Sequence, residues 1–412
     1  YPNAQALDNT LKKMLLESGL QPQGFEQVLL NLQAEADVYR DANLPLFSQE
    51  LSLNSEYDKV IGAQTVEWEG KELTLSQLQP VMQSTQRQTR QQVWHMAMQR
   101  RLADRQALNE LWGKLLELRR QVSDNVGLGD YRAYVWKNYH RFAYTPADCH
   151  TFHQAIEEVV VPAATRIYER RRLRLGLDVL RPWDLDVDPL GRSPLRPFQD
   201  VAGLESKCAA IFHKVDPQLG KYFDLMRRQK LLDLDNRKGK APGGYCTNFD
   251  VVHLPFIFMN AVGVHDDVQT LLHEGGHAFH VFETAALPYY QQLSVGMEFA
   301  EVASMAMELL SAPYLPLSQG GFYSDQDAAR ARIEHLESGI LFWPYMAVVD
   351  AFQHWVYENP QAALEPANCD AQWDALWLRF MPGVDWSGLE QERMTGWQRK
   401  LHIFQVPFYY IE

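Results

Sequence analysis

The sequence predicts a mainly α-helical fold with a small β-sheet. Apolar residues recur at intervals of three and four over most of the chain, which is the period of an amphipathic helix. Residues 60–75 alternate between apolar and polar side chains and residues 244–260 form short apolar runs, so both predict strands. With 412 residues, 46% of them hydrophobic, the chain can bury one or two cores.

Helices are expected over most of the chain before residue 230. The segments with helical periodicity are 4–40, 74–126, 147–176 and 199–228. A hairpin over residues 60–75 is expected to turn at Glu69, Gly70 and Lys71. A long irregular connection precedes the last helical segment, because it contains Pro182, Pro189, Pro194 and Pro197.

A loop, two short strands and three helices are expected after residue 230. Residues 231–245 contain glycines and charged residues and predict the loop, whereas residues 244–260 predict the strands. Residues 255–260 are the candidate edge strand, although their apolar content fits a buried core strand equally well. The helices are expected from Asp266, over residues 297–310 and at about 324–357.

The most informative stretch lies in the first of these three helices, where His273, Glu274 and His277 complete the pattern His-Glu-x-x-His. Residues four apart on a helix share a face, so both imidazoles can reach one tetrahedral Zn²⁺ ion. Glu274 is then placed to take a proton from an attacking water molecule. The spacing predicts a hydrolytic site with one zinc ion per chain; the alternative is an amphipathic helix with two surface histidines.

Two glycines inside the motif argue against an ordinary surface helix. Each glycine in a helix interior costs about 1 kcal/mol relative to alanine. We therefore expect Gly275 and Gly276 at places where the metal or a substrate backbone comes close to the helix.

A third ligand is expected on the helix over residues 297–310, which contains three acids among apolar residues and small ones that permit close packing. Glu298 lies near the helix start, where a carboxylate can be solvated and is favoured by the helix dipole. Glu301 and Glu308 share an otherwise apolar face, where an acid is costly unless it is paired or bound to metal. We take Glu301 as the ligand and Glu308 as the acceptor for a ligand histidine.

Four segments in the second half of the chain carry a family resemblance. Two of them are residues 273–280, His-Glu-Gly-Gly-His-Ala-Phe-His, and residues 299–309, Phe-Ala-Glu-Val-Ala-Ser-Met-Ala-Met-Glu-Leu. The others are residues 239–260, with Gly-Lys-Ala-Pro-Gly-Gly-Tyr-Cys and Pro-Phe-Ile-Phe-Met-Asn, and residues 402–412. In this order they resemble the oligoendopeptidase F and Pz-peptidase branch of the thimet oligopeptidase family, whereas the N-terminal half fits more loosely.

This resemblance implies a fold, a metal and an activity. The implied fold is mainly α-helical, with two helical lobes around a deep cleft and a small antiparallel β-sheet next to the zinc helix. The implied activity is zinc-dependent endopeptidase cleavage of short unfolded oligopeptides, with His273, His277 and Glu301 as zinc ligands. In such an architecture an edge strand, here residues 255–260, binds an extended peptide through backbone hydrogen bonds.

The C-terminal segment supplies the remaining site residues. The resemblance implies that His402 and a tyrosine donate hydrogen bonds to the oxyanion formed during peptide hydrolysis. Tyr409 and Tyr410 are both candidates for that tyrosine. Weaker candidates for site residues are His280, His335 and His354.

Composition disfavours several kinds of partner. The net charge of −13 and the pI of about 5.5 argue against nucleic acid, and the basic run within residues 169–174 is expected to be a solvated helix end. No apolar run has transmembrane length, so no membrane partner is expected. The scattered cysteines predict free thiols in a reducing, cytoplasmic compartment; they are Cys149, Cys208, Cys246 and Cys369.

The chain is expected to divide into an N-terminal helical lobe, residues 1–200, and a catalytic lobe, residues 201–412. Compared with the family, both lobes look incomplete at the chain ends. The alternative function is therefore a non-catalytic peptide-binding protein, which the intact Glu274 disfavours. A thermolysin-like secreted protease is disfavoured by the cysteines and by the long gap between His277 and Glu301. The sequence does not indicate an oligomeric state.

Overall fold

Most of the described chain is helical, as the sequence predicts. The computed structural model of the protein describes residues 2–409. The α-helices are α1 (Pro2–Glu17), α2 (Glu26–Val38), α3 (Leu44–Gly62), α4 (Gln79–Met82), α5 (Arg87–Ala103), α6 (Arg105–Val126), α7 (Tyr131–Asn138), α8 (Pro146–Ala155), α9 (Val161–Leu175), α10 (Val201–Val215), α11 (Pro217–Arg228), α12 (His265–Thr284), α13 (Met297–Ser311), α14 (Asp325–Glu358), α15 (Pro360–Ala363), α16 (Pro366–Phe380), α17 (Glu390–Met394) and α18 (Leu401–Gln405). The strands are β1 (Thr65–Trp68), β2 (Lys71–Thr74), β3 (Leu232–Asp235), β4 (Tyr245–Phe249) and β5 (Leu254–Ala261). The mainly α-helical fold class is confirmed.

Local sequence accounts for where several helices begin and end. Gly127 follows α6 and Gly176 follows α9, and both take the left-handed conformation that ends a helix, with φ of 80° and 66°. Asp200 caps the start of α10, because its side chain accepts a hydrogen bond from a backbone N–H of the first turn. The segment 199–228 forms two helices, since the extended residue Asp216 lies between them and caps α11 in the same way.

The two small sheets contain the predicted strands and one more. β1 and β2 form the antiparallel hairpin, in which Glu69 and Gly70 have φ of 50° and 74°, as in a type I′ turn. β4 and β5 pair antiparallel, as expected for residues 244–260. β3 pairs parallel with β5, so the expected antiparallel sheet is in fact mixed, and the prediction of a loop over residues 231–245 is wrong at its beginning. β3 has four residues, two of them aspartates, which are depleted in strands.

The edge of the second sheet differs from the expected one. The strand order is β3-β5-β4, so β5 is the central strand. The prediction that residues 255–260 form an edge is therefore wrong and the alternative of a core strand is correct, because Ile257 and Met259 are fully buried. β4 forms one edge of this sheet, and four of its five residues are exposed.

Buried side chains form two large clusters. The first combines residues between Val38 and Trp183 with residues between Met346 and Phe408. The second contains residues between Leu195 and Ala331 and surrounds α12. Residues near the end of the described chain thus pack with the N-terminal helices, whereas the division at residue 200 assigns them to the catalytic lobe. That division stays a prediction.

The described cysteines are free thiols, as predicted. Three are buried and Cys246 is half-buried, and burial raises the pKa of all four thiols above the usual value. These are properties of structural thiols rather than of reactive ones. Within residues 2–409, no helix combines the length and the apolar character needed to cross a lipid bilayer.

Candidate metal centre

Helix α12 packs closely on α13, and a glycine makes this contact possible. A Cβ atom at Gly276 would lie 2.6 Å from both the carbonyl oxygen of Ala303 and the Cα atom of Ser304. At Gly275 it would lie 2.5 Å from the ring of Phe212. The expectation that these glycines face the metal or a substrate is therefore wrong. They let α12 approach its neighbours, and this brings the acids of α13 next to the histidines of α12.

Three donors converge between the two helices. His273 Nε2 lies 3.1 Å from Glu301 Oε2, and His277 Nε2 lies 3.6 Å from Glu301 Oε1. Donor atoms of the three residues all lie within 4.8 Å of one another. In a tetrahedral zinc site, neighbouring donors lie roughly 3.3 Å apart, because each lies about 2.0 to 2.1 Å from the metal. The three residues therefore fit such an ion.

A second carboxylate orients one of the histidines. Glu308 Oε1 lies 2.6 Å from His273 Nδ1, and Glu308 Oε2 lies 3.4 Å from His335 Nε2. The Nδ1–H of His273 donates to Glu308, which leaves Nε2 for a metal. Burial lowers the pKa of His273, but the hydrogen bonds to Glu301 and Glu308 outweigh it and raise this pKa to about 10. Burial raises the pKa of Glu301, yet the two histidines outweigh this effect and hold the pKa well below its usual range.

Glu274 lies beside these donors with one oxygen unpaired. Its exposed fraction is 6%, and among the residues described no group forms a hydrogen bond with its Oε2. The backbone N–H of Cys246 in β4 lies near this carboxylate and favours its ionised form. Burial raises the pKa of Glu274 above its usual value, although His273 and His277 oppose the shift. A buried oxygen without a partner is costly, and water or a substrate group in the metal centre can satisfy it.

The C-terminal segment brings two of its three predicted site residues to the metal centre. The Tyr409 hydroxyl donates to Oε1 of Glu301. The ring of His402 lies 5.0 Å from the ring of Tyr409. Burial and the nearby Lys400 lower the pKa of His402 to about 3, so its imidazole is neutral at physiological pH and carries one N–H donor. Tyr410 lies outside the described residues.

Glu298 is not the solvated acid that its place near the helix start suggests. Arg141 Nε lies 2.7 Å from Glu298 Oε1, and the Tyr144 hydroxyl donates to the same oxygen. Burial raises the pKa of Glu298, but these two partners outweigh burial and hold this pKa below its usual value. Sequence reasoning misses both partners, because they lie 157 and 154 residues away along the chain.

A second cluster of histidines and acids joins α8 to α14. Asp350 Oδ2 lies 2.8 Å from His153 Nε2 and 3.3 Å from His354 Nε2, and donor atoms of Cys149, Asp350 and His354 lie within 4.8 Å of one another. Arg132 Nη1 lies 3.1 Å from His354 Nδ1. A guanidinium only donates, so His354 Nδ1 accepts and its Nε2 carries the proton. With the proton on Nε2, which lies 3.3 Å from Asp350 Oδ2, His354 offers no lone pair to a metal between these residues.

Comparisons with known proteins reveal relatives over the whole chain. The profile of peptidase family M3 matches residues 81–412. A solved structure described as Pz peptidase A with inhibitor 2 is 30% identical with a TM-score of 0.93, over 100% of this chain and 72% of that one. A structure of an oligoendopeptidase F is 29% identical with a TM-score of 0.92, over the same shares. An oligoendopeptidase F from Bacillus anthracis is 26% identical with a TM-score of 0.85, over 96% of this chain and 72% of that one.

The family match and the structural neighbours together define a peptidase. The chain belongs to peptidase family M3, a family of metallopeptidases. The resemblance to oligoendopeptidase F and Pz-peptidase is thereby confirmed. No curated protein matches the chain.

Proposed function

We propose that the protein is a zinc-dependent endopeptidase that cleaves short unfolded oligopeptides. The observation that carries this proposal is the convergence of two histidines and Glu301 beside the unpaired oxygen of Glu274. Membership of family M3 supports peptide hydrolysis. The relatives described as oligoendopeptidases support oligopeptides as the substrate class.

His273, His277 and Glu301 hold one zinc ion per chain in this proposal. Zinc, when bound, supplies a Lewis acid that polarises the peptide carbonyl and makes water a better nucleophile. Glu308 keeps the ring of His273 turned so that Nε2 faces the other donors. The depressed pKa of Glu301 supports an ionised carboxylate, which is the form that binds metal.

Glu274 moves the proton of the reaction. Its Oε2 takes a proton from the attacking water and then passes it to the nitrogen of the leaving amine. A pKa raised by burial supports this role, because the same group must accept a proton and release it within one turnover.

Tyr409 and His402 stabilise the oxyanion that forms on the scissile carbonyl. The hydroxyl of Tyr409 already points into the centre, where it donates to Glu301. The neutral imidazole of His402 offers a second donor next to the tyrosine ring. Donors held in place before the reaction stabilise the developing charge without rearranging. Tyr410 stays a candidate for the same role.

Strand β4 binds the substrate backbone. Within residues 2–409, β4 pairs only with β5, so its second edge is accessible to an extended peptide. The backbone N–H of Cys246 in β4 lies near enough to Glu274 to lower its pKa, so a peptide that lies along this strand lies next to the proposed base. Backbone pairing binds peptides with little regard to their side chains, which suits an enzyme for varied oligopeptides.

The same proposal includes the setting of the enzyme. It works in the cytoplasm, without nucleic acid or membrane as partner, and a cleft between two helical lobes excludes folded proteins. The net charge of −13 and the free thiols support this setting.

Cleavage of a short, internally quenched peptide tests the proposal. The peptide must be long enough to lie along β4 in an extended conformation. We expect cleavage that a chelator abolishes and added zinc restores, while a folded protein stays intact. Glu274→Gln should keep its zinc and lose roughly 10²- to 10⁴-fold in kcat. The matched control is Glu283→Gln, an exposed acid on the same helix, which should keep full activity. Activity that survives chelation contradicts the metal mechanism, and an active Glu274→Gln variant contradicts the assigned base.

A further inference from the structure

Phe408, which directly precedes Tyr409, has an unusual backbone conformation. Its φ is 61°, in the left-handed region, and its side chain is fully buried. A bulky residue takes this strained conformation only where the surrounding structure holds it. Because Tyr409 is the next residue, whatever holds Phe408 also determines where the tyrosine hydroxyl points.

Two buried side chains hold the peptide groups of Phe408. Its N–H donates to Oε1 of Gln353 at 2.7 Å, and its carbonyl oxygen accepts from Nη2 of Arg141 at 2.5 Å. Gln353 is 1% exposed and Arg141 is 6% exposed. Both bonds are therefore shielded from water, which strengthens them and restricts the backbone between them.

Arg141 also ties this segment to the helix that carries Glu301. Its Nε lies 2.7 Å from Oε1 of Glu298, which is one turn before Glu301 on α13, and Tyr144 donates to the same Glu298 oxygen. The guanidinium lies over three aromatic rings, of which Trp136 is the nearest at 4.9 Å. One planar group thus contacts both sides of the metal centre.

We propose that Arg141 is a positioning residue for peptide hydrolysis. It holds Phe408 and Glu298 at a fixed separation, so that the hydroxyl of Tyr409 faces the centre built on Glu301. A lysine at this position keeps the charge but lacks the planar fork that reaches both partners at once. This inference rests on the proposed function of the metal centre, and it assigns Arg141 no contact with substrate.

A double-variant cycle in the full chain tests the inference, with Arg141→Lys, Tyr409→Phe and their combination. We expect Arg141→Lys alone to lower kcat roughly 10- to 100-fold, as a small misplacement of a reacting group does, with little change in KM. Zinc per chain, measured by elemental analysis, should stay the same. In the Tyr409→Phe background, the same substitution should change kcat by less than about threefold, because the hydroxyl that it misplaces is gone.

Gln353→Met tests the inference from the other side of Phe408 and decides the question if Arg141→Lys does not fold. It should reproduce the loss in kcat and the same dependence on Tyr409. The matched control is Arg90→Lys: Arg90 is also buried, pairs with Asp184 at 2.9 Å and donates to a backbone carbonyl, but it has no contact with Phe408 among the bonds described. This control should lower the unfolding temperature and leave kcat unchanged.

The outcomes separate this inference from the proposed function. An equal loss of kcat in both backgrounds means that Arg141 is merely structural and overturns the positioning role alone. A loss of zinc in Arg141→Lys overturns it too, because the residue then acts through the ligands. Wild-type protein that binds zinc and cleaves nothing overturns the proposed function and, with it, the positioning role.

Discussion

The protein contains two clusters of histidines and acids on packed helices. The two clusters differ in the group that contacts Nδ1 of the imidazole ring. In the metal centre, His273 Nδ1 faces the carboxylate of Glu308. In the second cluster, His354 Nδ1 faces the guanidinium of Arg132. A carboxylate accepts a hydrogen bond from Nδ1–H, which leaves the lone pair of Nε2 for a metal. A guanidinium instead donates to Nδ1, so the proton of the neutral ring lies on Nε2. The group behind a histidine thus decides whether it can bind a metal.

The two clusters also differ in access. The side chains of His273 and His277 are 25% and 17% exposed. The side chains of Asp350 and His354 are 4% and 1% exposed. A substrate can reach the first cluster, while the second is sealed between α8 and α14 and contributes to stability.

The largest expected effect comes from removing one histidine from each cluster. His277→Ala should abolish peptide cleavage and reduce bound zinc from about one per chain to a small fraction, because two donors do not hold the ion. His354→Ala should keep the zinc and lose stability instead. Elemental analysis of both purified variants, each shown to be folded by circular dichroism, makes the comparison. Zinc loss from His354→Ala would mean that the second cluster also binds metal.

Removing the acid of the second cluster should have the next largest effect. Asp350→Ala leaves two buried histidines without their acceptor and should lower the free energy of unfolding by about 3 to 5 kcal/mol. Urea unfolding at neutral pH measures this loss.

The loss at Asp350 should depend on pH in a defined direction. Burial raises the pKa of Asp350, but the hydrogen bond with His153 and the nearby imidazole of His354 outweigh burial and hold this pKa well below its usual range. A depressed pKa in the folded state stabilises the protein above the pKa of the unfolded chain, about 3.9, and this stabilisation is lost as the pH falls below that value. The difference between wild type and Asp350→Ala should therefore shrink on acidification. A constant difference contradicts the ionised role of Asp350.

The smallest of these effects concerns the groups behind the two histidines. Glu308→Ala should weaken zinc binding roughly 10- to 100-fold, since His273 loses the acceptor that orients it. Arg132→Ala, the matched change in the second cluster, should leave zinc affinity unchanged. Competition with a chromophoric chelator measures both affinities. Equal zinc affinities in Glu308→Ala and Arg132→Ala would contradict the role of Glu308 in orienting His273.

The local parts of the structure could be predicted from the sequence. His273, Glu274 and His277 lie within little more than one helical turn, and Glu301 and Glu308 are seven apart, so helical spacing alone places each set on one face. The structure brings these five residues together between α12 and α13. Most helices follow from the same periodicity.

The parts that depend on distant neighbours could not be predicted. A glycine in a helix does not indicate which element approaches it: the sequence predicts a metal or a substrate backbone at Gly276, whereas the structure places α13 there. Apolar content does not give strand order, so the sequence leaves residues 255–260 open between an edge strand and the core strand that the structure shows. Arg141 and Glu298 pair across 157 residues, and no local pattern marks them as partners.

The interleaving of the two cores has a consequence for the order in which the protein becomes active. The ribosome makes α12 and α13 before residues 346–408, which complete the core begun by the N-terminal helices. Domains fold as their last contributing segments emerge. A nascent chain that has grown only through α13 possesses the metal donors but neither Tyr409 nor Phe408, which holds it in place. The proposed peptidase therefore gains its full centre only once residues 346–409 have been made and the first core is complete, although all three proposed metal donors are already present when α13 has been made.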